Sequence, residues 1–105
     1  MDFESSWNGA VLTVSVEGEI DEFSSRSLRS ELDGLIERRR PRRLVLDMSR
    51  VSFVDSTGLG LIFGRYKKLD AMGAELALCN VPRQVDKVFA MSGVYSFVEK
   101  TDVKK

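Results

Sequence analysis

The hydrophobic pattern at the start of the chain predicts a β-hairpin. Residues 10–18 (AVLTVSVEG) alternate between two sets of side chains, which indicates a β-strand closed by Gly18. The Asn8-Gly9 pair before it is a strong hairpin-turn signal, so an antiparallel partner strand that is short and includes Phe3 is expected. The apolar set of the alternation is Leu12, Val14 and Val16.

A helical period follows a short loop (GEIDEFSS). Residues 24–39 carry apolar side chains three or four positions apart and charge on the other face, which predicts an amphipathic helix. Ser24 or Ser25 can cap its N-terminus, and Pro41 stops it. The apolar positions are Leu28, Leu32, Leu35 and Ile36.

The rest of the chain repeats strand and helix signals. RRLVLDM predicts a central strand covered on both faces, and VSFVDSTG predicts a loop. A second helix (LGLIFGRYKKLDAM) ends at Gly73, and a third runs from Pro82 to Gly93. AELALCN and YSFVEK predict two more strands, and TDVKK a solvated tail.

The second helix has two distinct faces. One face is expected to enter the core, while Leu61, Arg65 and Lys68 share the other, where Leu61 is a candidate for an exposed partner contact. The expected core residues are Leu59, Ile62, Phe63, Tyr66 and Leu69.

These elements define an α/β fold. The order β-β-α-β-α-β-α-β implies right-handed crossovers and a mixed, mostly parallel sheet of four to five strands with three or four helices, and an antiparallel strand at one edge. The 105 residues are expected to form one domain, residues 1–105.

Composition narrows the possible functions. The chain has no histidine and one cysteine, so histidine-dependent nucleophilic catalysis and the usual zinc sites are excluded, and no catalytic residue, metal or cofactor is expected. Cys79 reads as a buried small hydrophobe, and Trp7 is expected to pack on the sheet edge. The sequence has no visible secretory signal or membrane-length apolar run, so a cytoplasmic protein without membrane association is expected.

The zero net charge conceals an asymmetry. Residues 1–37 hold nine acids and only Arg26 and Arg29 as bases, whereas residues 38–50 hold six arginines against one acid. The RRRPRR run is better explained by cations at a helix C-terminus than by nucleic-acid binding, because no set of stacking aromatics accompanies it.

Residues 47–69 hold the segment with the most chemistry. Asp55, Ser56, Thr57 and Gly58 are expected to lie where a loop enters the second helix, with Ser56 at or beside its N-cap. Such a position suits a phosphate, although a serine there is common simply as a cap. Gly58 and Gly60 leave the first turn without side chains, so the backbone of another molecule is expected to approach closely there. Nucleotide binding is disfavoured because the loop reads as too long for a tight strand-to-helix turn and the Walker lysine is missing, and a nucleophilic Ser56 would lack a base.

Three blocks of sequence resemble the anti-anti-sigma factors, bacterial regulators of the STAS-domain family. VDSTGLG, residues 54–60, matches the family's phosphorylation motif DS[ST]GLG. GEID, residues 18–21, matches the loop before the family's first helix, and DKVFAMSGV, residues 86–94, resembles the family's RLFDMSGL. GRYKKL after the motif is more similar to the sporulation (SpoIIAA) type than to the general-stress type.

The resemblance implies a phosphorylation switch. The unphosphorylated protein would bind an anti-sigma factor that is also a serine kinase, and this binding would release a sigma factor. The kinase, not this chain, would bind ATP and ADP. The kinase would phosphorylate Ser56, and a PP2C-type phosphatase would reverse this. The implied partner-binding residues are Asp21, Asp55, Ser56, Thr57, Gly58, Leu59 and Gly60, with Thr57 not the main phosphate acceptor.

An alternative stays open. The chain could be a STAS subunit of another assembly, such as a lipid-transport or stress-response complex, in which Ser56 is not phosphorylated.

Overall fold

A computed structural model describes residues 2–101, with side chains from residue 5 onward; the predicted tail lies, apart from Thr101, outside the described residues. It contains five strands and three α-helices, which confirms the predicted α/β class. In chain order the elements are β1 (Asp2–Asn8), β2 (Val11–Ile20), α1 (Ser25–Arg39), β3 (Arg43–Val54), α2 (Ser56–Ala71), β4 (Glu75–Cys79), α3 (Arg83–Ser92), a 3₁₀ turn (Val94–Ser96) and β5 (Glu99–Thr101).

The sheet is mixed, as predicted. Its strand order is β1-β2-β3-β4-β5, with β1 antiparallel to β2 and the other neighbours parallel. Gly9 in the turn between β1 and β2 has φ +64°, a conformation that glycine adopts without steric cost. Because the parallel strands end at the same edge, the segments that follow β2 and β3 are neighbours.

Both β2 and β3 are longer than predicted. β2 continues past Gly18 to Ile20, and β3 continues past Asp47 to Val54, so the predicted loop VSFV is strand. The pairing between them shifts register twice, between Ser15 and Glu17 and again between Gly18 and Glu19. These irregularities interrupt the alternation of side chains, which is why the pattern alone ended both strands early.

All three helices contribute to one core. Their buried side chains pack with one face of the sheet, for example Leu32 of α1, Ile62 of α2 and Phe89 of α3 against the inward residues of β2, β3 and β4. Val45, Ala77 and Cys79 form a second, small cluster, so the central strand is covered on both faces and Cys79 is buried, as predicted. Trp7 on β1 is partly exposed, with the Arg39 guanidinium 5.8 Å from its ring centre.

The two faces of α2 differ from the prediction. Leu61 and Arg65 are buried, so the prediction of an exposed Leu61 is wrong. The cause is α1, which packs beside α2 and pairs Asp33 with Arg65 at 3.0 Å. Phe63, predicted to be in the core, is 43% exposed and meets Phe97 edge-on at 5.1 Å between ring centres.

The helix ends largely follow the sequence. Arg38 and Arg39 lie in the last turn of α1, and Arg40 at its C-cap has φ +47°. Gly73 and Gly93 follow α2 and α3 with positive φ. Ser24 occupies the N-cap of α1, but its side chain makes no capping hydrogen bond, so the expected serine cap is absent there.

Within residues 2–101, no helix is long and apolar enough to cross a membrane.

Candidate functional site

The candidate site lies where the ends of β2 and β3 meet. Ile20 pairs with Val54, and the backbone N–H of Asp55 donates a hydrogen bond to the carbonyl oxygen of Ile20 at 3.2 Å. The residues that follow these two strand ends, Asp21 and Asp55, are therefore neighbours in space although 34 positions apart in the sequence. Two of the blocks that carry the family resemblance meet at this edge.

Asp55 caps α2. Its backbone is extended, and its carboxylate accepts a hydrogen bond from the backbone N–H of Gly58 at 2.9 Å. Its carbonyl oxygen accepts from the N–H of Leu59 at 2.9 Å, which closes the first helical turn. The cap is therefore Asp55, and Ser56 is the first residue of the helix, beside the N-cap as predicted.

Ser56 and Thr57 are exposed at the start of α2. Their backbone N–H groups have no acceptor within the helix, because the first turn of any helix leaves such donors free. The first turn of α2 contains no acidic side chain, so the positive end of the helix dipole is offset only by the Asp55 cap. An anion on the Ser56 hydroxyl would therefore lie in a favourable field.

Gly58 and Gly60 have different roles. A Cβ at Gly58 would lie 2.5 Å from the carbonyl oxygen of Ile20, so this glycine permits the close approach of β2 to α2 within the protein itself. The expectation that Gly58 opens the turn to another molecule is wrong for this reason. Gly60 is exposed, and a Cβ there would meet nothing within 4 Å, so the expectation holds at that position. Leu59 between them is partly buried against the core.

Asp21 organises the turn that precedes α1. Its Oδ1 accepts hydrogen bonds from the backbone N–H groups of Phe23 and Ser24, both at 3.0 Å, and the Ser24 hydroxyl donates to the carbonyl oxygen of Glu19 at 2.7 Å. The backbone hydrogen bond from Ser24 lowers the pKa of Asp21, and the hydrogen bond from the Phe23 N–H adds to the effect. The carboxylate is thus held ionised and oriented at the edge that also carries Ser56.

Phe23 is a surface feature that sequence reasoning missed. Its side chain is 88% exposed in the Asp21 turn. The nearby apolar positions of α1 all point inward, and nothing in the spacing distinguished Phe23 as the one that points out. Exposed aromatic side chains are enriched in protein-binding surfaces, and this one lies in the turn that Asp21 holds.

The geometry bears on the alternatives raised by the sequence. Only Asp55 separates β3 from α2, so the prediction of a long loop, which disfavoured nucleotide binding, is wrong. The missing Walker lysine still argues against nucleotide binding. Asp55 uses its carboxylate to cap the helix, which leaves it poorly suited to serve as a base for Ser56.

Comparison with known proteins places the chain in one family. The STAS domain model matches residues 4–104, and the chain therefore belongs to the STAS domain family. The chain is 36% identical over 98 residues to an anti-sigma F factor antagonist of Paenibacillus polymyxa, which covers 93% of this chain and 84% of that protein. It is 33% identical over 88 residues to an anti-sigma-B factor antagonist of Bacillus subtilis, which covers 84% of this chain and 79% of that one.

A solved structure supports the same assignment. The anti-sigma factor antagonist SpoIIAA, in its unphosphorylated form, superposes with a TM-score of 0.83 and 26% identity, over 99% of this chain and 90% of that one.

Proposed function

We propose that this protein is an anti-sigma factor antagonist: its unphosphorylated form binds an anti-sigma factor that is also a serine kinase, and phosphorylation of Ser56 ends that binding. The observation that carries the proposal is the position of Ser56, exposed as the first residue of α2 and flanked by Asp55. The names of the two relatives, and a neighbour described in an unphosphorylated form, support it.

The switch is electrostatic. A phosphate adds about −1.5 to −2 charges at neutral pH beside Asp55 and Asp21. Within the free protein the helix dipole and the unpaired N–H groups offset that charge. A partner that covers this edge would have to desolvate all three anions, so the modification weakens binding without any change of fold.

The partner surface comprises exposed and half-buried residues around the strand ends. Asp21, Asp55, Ser56, Thr57 and Gly60 supply polar groups and bare backbone. Leu59 and Gly58 serve mainly to hold α2 against the sheet. A PP2C-type phosphatase would read the same exposed edge to remove the phosphate.

A kinase assay tests the proposal. The protein is mixed with ATP and the anti-sigma kinase encoded nearest to it, and the phosphate is located by mass spectrometry. One phosphate is expected on Ser56 in the wild type and in Thr57→Ala, the matched control, and none in Ser56→Ala. Phosphate on Thr57 instead, or none in the wild type, would contradict the proposed acceptor.

A binding assay tests the second half. Ser56→Ala should bind the kinase as the wild type does, whereas Ser56→Asp should bind at least about tenfold more weakly, because like charges at a desolvated interface are costly. Absence of binding by every form, with ADP or ATP present, would favour the alternative of a STAS subunit in another assembly.

The relatives leave two types of partner to compare. The GRYKKL segment and the 36% identical relative favour a sporulation-type, anti-sigma F partner. Parallel binding assays with anti-sigma F and anti-sigma-B kinases would decide, and tighter binding to the anti-sigma-B kinase would overturn that preference.

A further inference from the structure

A groove lies beside the edge of the sheet that carries Ser56. This groove, of about 380 Å³, runs between α1 and α2 and reaches Thr57. Gly60 and Gly64 form part of its α2 wall, and a Cβ at either would meet nothing within 4 Å, so that part of the wall is bare backbone. The volume is in the range of small-ligand sites.

Three arginines line the groove: Arg26, Arg29 and Arg65. Arg26 and Arg29 are the only basic residues among the first 37, a stretch that is otherwise acidic. Guanidinium groups are the side chains best suited to bind an oxyanion through paired hydrogen bonds. Both basic residues of the first 37 positions therefore lie on this groove, together with Arg65.

Arg65 is more than nine-tenths buried, with 8% of its surface exposed. Its Nε lies 3.0 Å from Asp33 Oδ1 in an ion pair, but neither Nε nor Nη1 makes a hydrogen bond within the part of the chain that the structure describes. Burial lowers the pKa of Arg65, Asp33 partly offsets this, and the charge of Arg29 lowers it further. An anion between Arg29 and Arg65 would relieve their repulsion.

The wider surroundings favour an anion as well. Ser25 Oγ, also on the groove, is buried without a hydrogen-bond partner among the described residues and is a free donor. Glu22 on the groove and Asp33 behind it provide two negative charges against the three arginines. The first turns of α1 and α2 contain no acid, but the Asp55 cap offsets the dipole of α2, so the three arginines supply the positive surplus that suits a phosphate anion.

We propose that the groove between α1 and α2 binds a phosphate monoester dianion through Arg26, Arg29 and Arg65, with Thr57 at its end. The phosphate could belong to a separate small molecule or to a phosphorylated Thr57 of the same chain, because both offer the same chemistry at the same place. The site is distinct from Ser56, which does not line the groove.

A titration tests the site. The full chain is titrated with inorganic phosphate and with O-phosphothreonine at constant ionic strength, at a pH above the second phosphate pKa of about 6. The backbone amide NMR signals of Thr57, Gly60, Gly64 and Arg65 should shift with a common dissociation constant. Arg26 and Arg29 are exposed, so the variants Arg26→Gln and Arg29→Gln should fold. Each variant should bind phosphate about tenfold more weakly, because it loses a charge-assisted hydrogen bond.

The matched control is Arg38→Gln, in the last turn of the same helix, which should bind phosphate as the wild type does. The proposal is overturned if the groove amides do not shift, or if all three glutamine variants bind equally. It is also overturned if acetate, a monoanion, produces the same shifts with the same affinity.

Two further variants distinguish the sources of the phosphate. Thr57→Glu places a carboxylate at the end of the groove, whereas Ser56→Glu places one at the adjacent helical position outside it. If the phosphate belongs to Thr57, Thr57→Glu should displace free phosphate and have a higher melting temperature than Ser56→Glu, a gain lost in combination with Arg29→Gln. If the ligand is a separate molecule, the two glutamate variants should melt alike, and phosphate should still bind to Ser56→Glu.

Discussion

Gly58 and Gly60 lie two residues apart at the start of α2, but an added methyl group meets opposite environments at the two positions. At Gly58 it would overlap the carbonyl oxygen of Ile20 at 2.5 Å and the side chains of Ile20 and Val54 at 2.9 Å. At Gly60 it would project into open space. Similar glycines in one motif therefore perform different functions.

We expect Gly58→Ala to lower the free energy of unfolding by about 2 kcal/mol, because overpacking against backbone outweighs the better helix propensity of alanine. Gly60→Ala should instead raise it by up to about 1 kcal/mol. Urea denaturation of both variants measures this. Equal effects of the two substitutions would show that β2 does not press on the first turn of α2.

Asp55 combines a structural and a functional task that two substitutions can separate. Asp55→Asn keeps an oxygen that accepts from the N–H of Gly58, so stability should change little, whereas Asp55→Ala should lose about 1 kcal/mol. Both remove the charge beside Ser56. If the proposed function holds, both should alter kinase binding to a similar extent, and binding that followed stability alone would contradict a role for the charge.

The sequence predicted single residues where local chemistry decides and failed where a neighbouring element decides. Ser56 lies beside the N-cap as predicted, because the turn residues themselves set that geometry. Leu61 and Phe63 were misassigned, because α2 has apolar side chains on more than one face and only α1 determines which face is covered.

At the scale of elements, the C-terminal half of β3 shows the limit of pattern reading. Val51 and Val54 are buried, while the residues between them are exposed, so the spacing is three rather than two. The register shifts opposite β2 cause this spacing, and they depend on pairing with residues more than 30 positions away. No local signal contains that information.

Asp86 joins three C-terminal elements. The Tyr95 hydroxyl donates to its Oδ1 at 2.6 Å, and Lys100 Nζ lies 2.9 Å from the same oxygen, so α3, the 3₁₀ turn and β5 meet at one carboxylate. The hydrogen bond from Tyr95 lowers the pKa of Asp86, and the bond from Lys100 adds to this. Burial and Asp86 raise the pKa of Tyr95.

The stabilisation that the Asp86 carboxylate provides depends on pH. The pKa of Asp86 in the folded protein lies below its ordinary value of 3.8, so its stabilisation is complete above that pH and is lost as the pH falls through the folded-state pKa. We expect Asp86→Asn to cost about 1 kcal/mol at neutral pH and to flatten the acid side of the stability curve. Thermal melts between pH 3 and pH 7 measure this.

Glu37→Gln is the matched control, because Glu37 is exposed and its ion pair with Lys68 joins only two helices. It should change stability less than Asp86→Asn at neutral pH. An acid limb that is identical in Asp86→Asn and the wild type would show that the carboxylate does not tie the C-terminal elements together.

At the scale of the whole molecule, the order and direction of the strands were predictable because they follow from general rules. Alternating strands and helices force parallel neighbours, and a two-residue turn forces the antiparallel edge. The position of Asp21 near Asp55, directly after the paired strand ends Ile20 and Val54, follows from that topology. The groove between α1 and α2 does not, because it depends on how two helices pack side by side.

The exposed apolar residues of the molecule provide a test of where partners bind. Phe23 and Met91 are 88% and 89% exposed, but only Phe23 adjoins the candidate site. We expect Phe23→Ala to weaken binding of the anti-sigma kinase by about tenfold or more, as for an aromatic residue at the centre of an interface. Met91→Ala, the control, should leave it unchanged in a calorimetric titration, and the reverse result would move the interface to α3.

The hydrogen bond between Asp55 and Ile20 affects how an enzyme would recognise the region around Ser56. The turn that carries Ser56 is held by β2, a strand from a distant part of the chain, and Asp21 follows directly after that strand. A synthetic peptide that spans VDSTGLG would contain every residue of the motif but would lack the contact with β2 and the neighbouring Asp21. An enzyme that acts on Ser56 beside Asp21 would recognise a conformational epitope, so such a peptide should be a poor substrate and a poor competitor.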